Sequence, residues 1–310
     1  MPPPAAATPV GAATYVRPAP PRRRRWGTLV LILVILVSTV VLRAAFKNGL
    51  DALGSGDSVQ TTYDPEPGGA TLGVADTANN PLVTDSDLTL LPARCDYSTW
   101  STDVSTARTF FETAAGCLES AWKPAFDAAG LAFEPPKLMV SADTSGITTL
   151  CTGNSSNFAA FYCSADKTIY MPISQLQTDL FGDNWVVYLS VFAHEYGHHV
   201  QAQSGILGKV HSERRQAGAR SDLGLEMSRR TELQANCFDG MYLSSSSGGG
   251  SLTSAQINVA RNDAYGRGDA PGDMRDHGTS QNGGAWFEIG YDENRTFECN
   301  TFNAPAAKVK

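Results

Sequence analysis

Between Asp183 and Gly205 the chain carries one helix length of apolar residues broken by three histidines and a glutamate, and no other segment restricts the fold as much. Trp185, Val186, Leu189, Val191, Phe192 and Ala193 spread over so many faces of a helix that it must lie in a protein interior. Asp183 is placed to open that helix and Gly205 to end it. Histidines are costly in such surroundings without partners. His194 and His198 stand at i and i+4, one turn apart on one face, within reach of a single ion. Glu195 borders the same face through its i,i+3 relation to His198, where a carboxylate can take a proton from water activated by a metal. His199 lies about 100° round the helix from His198 and faces elsewhere. The alternative reading is a pair of core histidines satisfied by hydrogen bonds.

A hydrolytic zinc site needs a third protein ligand and one open position. Ser204 stands where a third histidine would complete the longer motif of some such sites, so the third ligand must come from elsewhere. A glutamate on a later helix is the usual alternative. Glu232, in Thr231-Glu232-Leu233-Gln234-Ala235-Asn236-Cys237, is a candidate, with Asn236 one turn on as a hydrogen-bond partner for a ligand histidine. Glu226, Glu213 and Asp239 are its rivals, and spacing alone leaves Glu232 equally readable as a solvated carboxylate.

The rest of the chain divides by composition. Residues 1–25 read as a disordered Pro/Arg-rich tail. Arg22 to Arg25 then precede an uncharged apolar run, Thr28 to Leu42, within a candidate transmembrane anchor over 26–46. From Trp26 to Leu42 a helix would rise roughly 26 Å, short of the ~30 Å hydrocarbon core, with Arg43 free to snorkel. The arginine cluster predicts a cytoplasmic N-terminus and an extracellular remainder. A cleaved signal peptide is the competing reading, but Leu42-Arg43-Ala44-Ala45 lacks the small-x-small pattern of a cleavage site. Residues 47–91, dense in Gly, Asp, Thr and Ser, read as a linker; 92–303 as the folded domain; 304–310 as a C-terminal tail. Seven of the 24 basic residues and none of the 31 acidic ones lie before residue 48, so the domain is strongly acidic and a nucleic-acid partner is not expected. All six cysteines (Cys95, Cys117, Cys151, Cys163, Cys237, Cys299) fall after the apolar run, which points to disulfides in an oxidising compartment rather than to buried thiols.

Within the domain, helical spacing runs from Val104 to Phe126 behind Asp103, and again over Glu226–Leu243 and Ser254–Tyr265. Short strands are expected at Lys137–Val140, Phe158–Cys163 and Thr168–Met171. Ser244–Gly250 reads as a flexible loop, the stretch around His211 as solvated, and the region after Tyr265 as loop-rich.

Taken together, several segments resemble the neutral zinc metallopeptidase family. They are Cys151; Phe161-Tyr162-Cys163-Ser164-Ala165-Asp166; Ile169-Tyr170; His194-Glu195-Tyr196-Gly197-His198-His199-Val200-Gln201; Glu232-Leu233-Gln234-Ala235-Asn236-Cys237; His277-Gly278-Thr279-Ser280; and Trp286-Phe287. The resemblance implies an α+β, zincin-like domain behind a single anchor, zinc as cofactor, a peptide or protein substrate, and Glu232 as third ligand. It supports a Cys151–Cys163 disulfide. Six cysteines allow fifteen connectivities; Cys237–Cys299 and Cys95–Cys117 complete the set favoured here. Two departures stand out. Asn236 replaces the aspartate common in the family, removing a charge but keeping an acceptor. Gly283-Gly284-Ala285 replaces a stretch in which the family tends to carry arginines.

The expected mechanism is hydrolysis with Glu195 as general base and His277 as a donor to the developing oxyanion. Tyr265 and Arg267 are weaker candidates for the His277 duty. Two rivals stand beside it. One is a zinc-stabilised cell-surface binding module without catalysis, favoured by Asn236 and opposed by the presence of Glu195. The other is a zinc hydrolase acting on a bond other than a peptide.

Overall fold

A computed structural model describes residues 73–310 except 154–157 and 273. Its centre is helix α2, Trp185–Ser204, most of whose residues are buried, as an all-round apolar segment requires. Helix α1, Val104–Ala128, covers one side. The side chain of Asp103 accepts from Thr106 N and caps it, while Phe110, Phe111, Ala114, Leu118, Trp122 and Phe126 form its buried stripe. A three-stranded sheet follows, with β1 (Lys137–Ser141), β2 (Phe161–Cys163) and β3 (Thr168–Pro172) in the order β1-β3-β2. β1 runs parallel to β3, with Lys137 opposite Thr168. β2 is antiparallel to β3, with Phe161 opposite Tyr170, and forms the edge that packs against α2.

The remaining long helices are α3 (Ile206–Ala217), α4 (Asp222–Gly248), α5 (Ser254–Ala264) and α6 (Ser280–Glu293). Ser221 caps α4 by accepting from Gly224 N, and Thr253 with Gln256 makes a capping box on α5. α4 packs on α2 and also on α6. Close helix approach depends on glycines here: a Cβ at Gly240 would collide with the Phe287 carbonyl, and one at Gly290 with that of Cys237. The disulfides are Cys95–Cys117, Cys151–Cys163 and Cys237–Cys299, the set favoured from the sequence.

Several expectations need correction. The linker expected over 47–91 does not hold for its described part. Leu82, Val83, Leu88 and Leu90 belong to the main hydrophobic core. Val74 N and Asn80 Nδ2 donate to the Ser204 carbonyl (2.8 and 2.9 Å), satisfying the C-terminus of α2. Residues 304–310 are no loose tail either: Val309 is buried, and Trp286 Nε1 and Arg229 Nε donate to the Lys308 and Val309 carbonyls. Most of the expected loop Ser244–Gly250 is the last turn of α4. Its serines pack because their hydroxyls find partners, Ser246 Oγ with Tyr97 OH at 2.7 Å. α3 and α6 occupy segments read as solvated or loop-rich. The expected tail and anchor, 1–25 and 26–46, lie outside the described residues; among the described residues no helix is long and apolar enough to cross a membrane.

Gly240→Ala is expected to destabilise the fold by about 1–3 kcal/mol, because two helix backbones must separate. Gly116→Ala, on α1, meets nothing within 4 Å and should gain about 0.5–1 kcal/mol. Urea unfolding of both variants checks the contrast.

Candidate metal centre

α2 carries His194 and His198 on one face, and α4 crosses it so that Glu232 meets them. Glu232 Oε2 lies 3.3 Å from His194 Nε2, and Oε1 lies 3.5 Å from His198 Nε2. Each residue offers one ligand atom, and these atoms lie within 4.8 Å of one another. The crossing is close because Gly197 has no side chain: a Cβ there would sit 3.2 Å from both Cα and O of Ala235.

The protonation pattern follows from the hydrogen bonds around the rings. Gln201 Nε2 donates to the Thr231 carbonyl (2.8 Å) and to Gln234 Oε1 (3.0 Å), so Gln201 Oε1 is the atom that faces His198 Nδ1 at 2.9 Å. A carbonyl oxygen only accepts, hence His198 Nδ1 carries the proton. Asn236 Oδ1 meets His194 Nδ1 at 2.9 Å and imposes the same tautomer. Both Nε2 atoms are then left as lone-pair donors directed at the carboxylate. Four electron-rich atoms facing one another in a buried space require a positive charge between them. Two imidazoles and a carboxylate, each ring anchored through its other nitrogen, suit a zinc ion.

Electrostatics agree. Burial pulls His194 down to about 4, so it stays neutral. Without an ion, Glu232 is held well below the usual carboxylate range: burial opposes this and is outweighed by the two histidines. His198 rises to about 9 in the same metal-free pair, again against burial, because Glu232 attracts a proton into the place a cation would take.

Glu195, 2% exposed, lines the same pocket, a space of about 610 Å³ that includes solvent at its mouth. Tyr162 N, on the edge strand β2, donates to Glu195 Oε2 at 2.9 Å. Burial pushes the Glu195 carboxyl up to about 7, close to the value that suits a general base at neutral pH. A bound cation would pull it back down.

The rival carboxylates have other engagements. Glu226 pairs with Arg230 (2.7 Å), Glu213 with Lys209 (3.1 Å), and Asp239 accepts from Ser190 Oγ (2.6 Å). His199 is fully buried between Tyr162 OH and the Glu134 carbonyl, away from the metal ligands as expected. His277 does not line the pocket with Glu195. Its Nδ1 lies 3.0 Å from Asp276 Oδ1 and 3.6 Å from Asp269 Oδ1. Burial disfavours its charge, but these carboxylates outweigh burial and keep it protonated. The loop from Asp269 to His277 folds the imidazole onto these two acids, and Glu232 feels its charge as well. Tyr265 OH donates to Glu288, and Arg267 pairs with Asp263 in a buried network with Asp239 and Ser190, so neither joins the pocket.

Sequence reasoning missed Gln201 and the α3 wall. Gln201, three residues after His198, was legible as a same-face neighbour. His211, expected to be solvated, lines the pocket together with Arg214, because α3 folds back over the site; burial pulls His211 down to about 4. The two departures from the family pattern meet in space: a Cβ at Gly283 would lie 3.6 Å from Asn236 Nδ2.

An α+β domain whose central helix presents two histidines and a glutamate, joined by a second glutamate from a crossing helix, offers a donor set of the kind that zinc proteins use. The chain belongs to the family described as "Putative neutral zinc metallopeptidase", whose model matches residues 94–302, and zinc is the cofactor this membership implies. Among similar chains, "Uncharacterized protein YpfJ" of Escherichia coli (strain K12) is 34% identical over 198 residues, 59% of this chain and 67% of its own length. "Uncharacterized protein Rv2575" of Mycobacterium tuberculosis (strain ATCC 25618 / H37Rv) is 30% identical over 211 residues, 60% of this chain and 68% of its own. No solved structure matches the chain.

Burial pushes Asp239, beneath the site, up to about 7 from an ordinary 3.8, against the pull of Arg267 and Ser190. The folded protein thus keeps a proton there that the unfolded chain has released. Stability from this group is present below the unfolded value and lost as pH rises through the folded one, from about 4 to about 7. Thermal unfolding across that range should show Asp239→Asn gaining on wild type toward neutral pH. A gap that ignores pH overturns this account.

Proposed function

We propose that this chain is a membrane-anchored zinc peptidase that hydrolyses peptide bonds, with His194, His198 and Glu232 as metal ligands and Glu195 as general base. The observation that carries the reading is the convergence of the three ligand atoms beside a buried carboxylate in one pocket. A small sheet whose edge strand touches Glu195 supports a zincin-like arrangement.

When bound, zinc supplies a Lewis acid that polarises a carbonyl and makes water acidic enough to lose a proton near neutral pH. The chain's own residues do the rest. Gln201 and Asn236 keep the imidazoles turned, with Nδ1 protonated and Nε2 bare. The Tyr162 N–H holds Glu195 Oε2, so Oε1 is the oxygen that takes the proton from water and hands it to the leaving amine. Ala160, Leu207 and Val210 give the pocket an apolar wall, next to which these interactions are stronger than in bulk water.

The segment 26–46 is the proposed anchor, with the N-terminus cytoplasmic and the domain outside. The disulfides support an oxidising compartment. A silent zinc-stabilised module has Asn236 in its favour, but such a module has no use for a buried carboxylate fixed beside the ligands.

Glu195→Gln is expected to lower casein or peptide cleavage by a factor of about 100 or more at unchanged zinc content; equal activity would sink the enzyme reading. In metal analysis, Glu232→Ala should lose zinc while Glu226→Gln retains it, and the reverse outcome would move the third ligand. Asn236→Asp should tighten zinc about tenfold in chelator competition, since a charged partner makes His194 a better donor.

A further inference from the structure

Beside the ligands the pocket has further polar lining, built by α3 and α4. Arg214, half-buried on α3, lines it; its Nε is closed off from solvent with no hydrogen-bond partner, and among the described residues the guanidinium forms no ion pair. Ser228 lines the same pocket. It lies one turn before Glu232 on α4, is 2% exposed, and its Oγ also has no partner. Two pocket-lining residues thus carry donors that have no acceptor within the protein, and a ligand or water entering the pocket is what can supply one.

The field at Arg214 comes from Glu232 and Asp276. An arginine serving either would close to hydrogen-bond distance, as Arg230 does with Glu226 at 2.7 Å. Arg214 does not. Once a divalent cation is held, its charge is cancelled by Glu232 and Glu195, and the Arg214 charge is left over in a pocket whose lining includes the apolar Ala160, Leu207 and Val210. A planar guanidinium in such a place matches a carboxylate, to which it can offer two parallel N–H groups.

We propose that Arg214 and Ser228 form a carboxylate-binding subsite beside the candidate metal centre, selecting substrates that carry a negative charge near the scissile bond. This deepens the peptidase reading and rests on it for the scissile bond alone. The carboxylate is either an acidic side chain or the C-terminus of the substrate, and the test separates the two.

Binding is measured by calorimetry on the zinc-loaded chain carrying Glu195→Gln, which keeps the probes intact. One probe pair is an acetylated tripeptide with a free C-terminus and its C-terminal amide. The other is an amidated tripeptide with a central glutamate and its glutamine counterpart. At least one acid should bind about tenfold or more tightly than its neutral partner, and the pair showing the preference names the source. Adding Arg214→Gln, at equal zinc content, should bring that acid to the affinity of its partner. Arg214→Lys should keep part of the preference, and Ser228→Ala should reduce it. Equal affinities within both pairs, no binding by any probe up to millimolar concentration, or a preference that survives Arg214→Gln overturns the subsite. Cleavage by wild type of peptides that show no such preference leaves the peptidase standing without it. An Arg214-dependent preference in a protein whose wild type cleaves nothing leaves the subsite and removes the peptidase.

Discussion

The close crossing of α2 and α4 at Gly197 and Ala235 is the contact on which the site depends. His198 and Glu232 are 34 positions apart in sequence, and neither helix alone can gather three donors. A missing side chain lets the two backbones approach until the carboxylate reaches both imidazoles. A methyl group at residue 197 would press on Ala235 backbone atoms at 3.2 Å, and a shift of a few tenths of an ångström matters to ligand atoms only 3.3 and 3.5 Å apart. The same principle recurs on the far side of α4, where Gly240 and Gly290 let α6 close in. The helix bearing the third donor is thus held from two sides.

Around this crossing the interior is unusually polar for a hydrophobic core, and nearly every group has a defined duty. Gln201, buried on α2, spends its amide on the Thr231 carbonyl and Gln234, which fixes the oxygen it presents to His198. Asn236 does the equivalent for His194. Burying such groups costs stability unless all are satisfied, so the network and the packing support each other. Arg214 and Ser228, by contrast, are among the residues with a buried polar atom that has no partner inside the protein, and both line the pocket.

Much of the fold was legible because its helices and strands obey simple periods. α1 and α5 begin at Asp103 and Thr253, whose side chains cap them, and α2 ends at Gly205 with φ of 93°. What escaped has physical reasons. α3 and α6 are rich in polar residues and glycine, and their apolar faces are too narrow for periodicity to announce. The serine run at the end of α4 resembles a loop in composition, yet it is helical because Tyr97 and the chain near Leu91 accept or share its hydroxyls. Residues 73–91 look like a linker, but their few apolar side chains plug the core and their backbone completes the end of α2.

The sequence by itself determined the chemistry available: two imidazoles one turn apart, a carboxylate beside them, paired cysteines, and a later helix with an acid to offer. These follow from spacing along one helix, where geometry is local and fixed at 3.6 residues per turn. Only the tertiary structure decided that Glu232, rather than Glu226, Glu213 or Asp239, meets the two imidazoles, that His277 lies against Asp269 and Asp276, and that α3 brings His211 and Arg214 over the pocket. Those outcomes depend on how helices distant in sequence cross, which side-chain volume and the absence of it at Gly197 govern, and no period in a linear string records that.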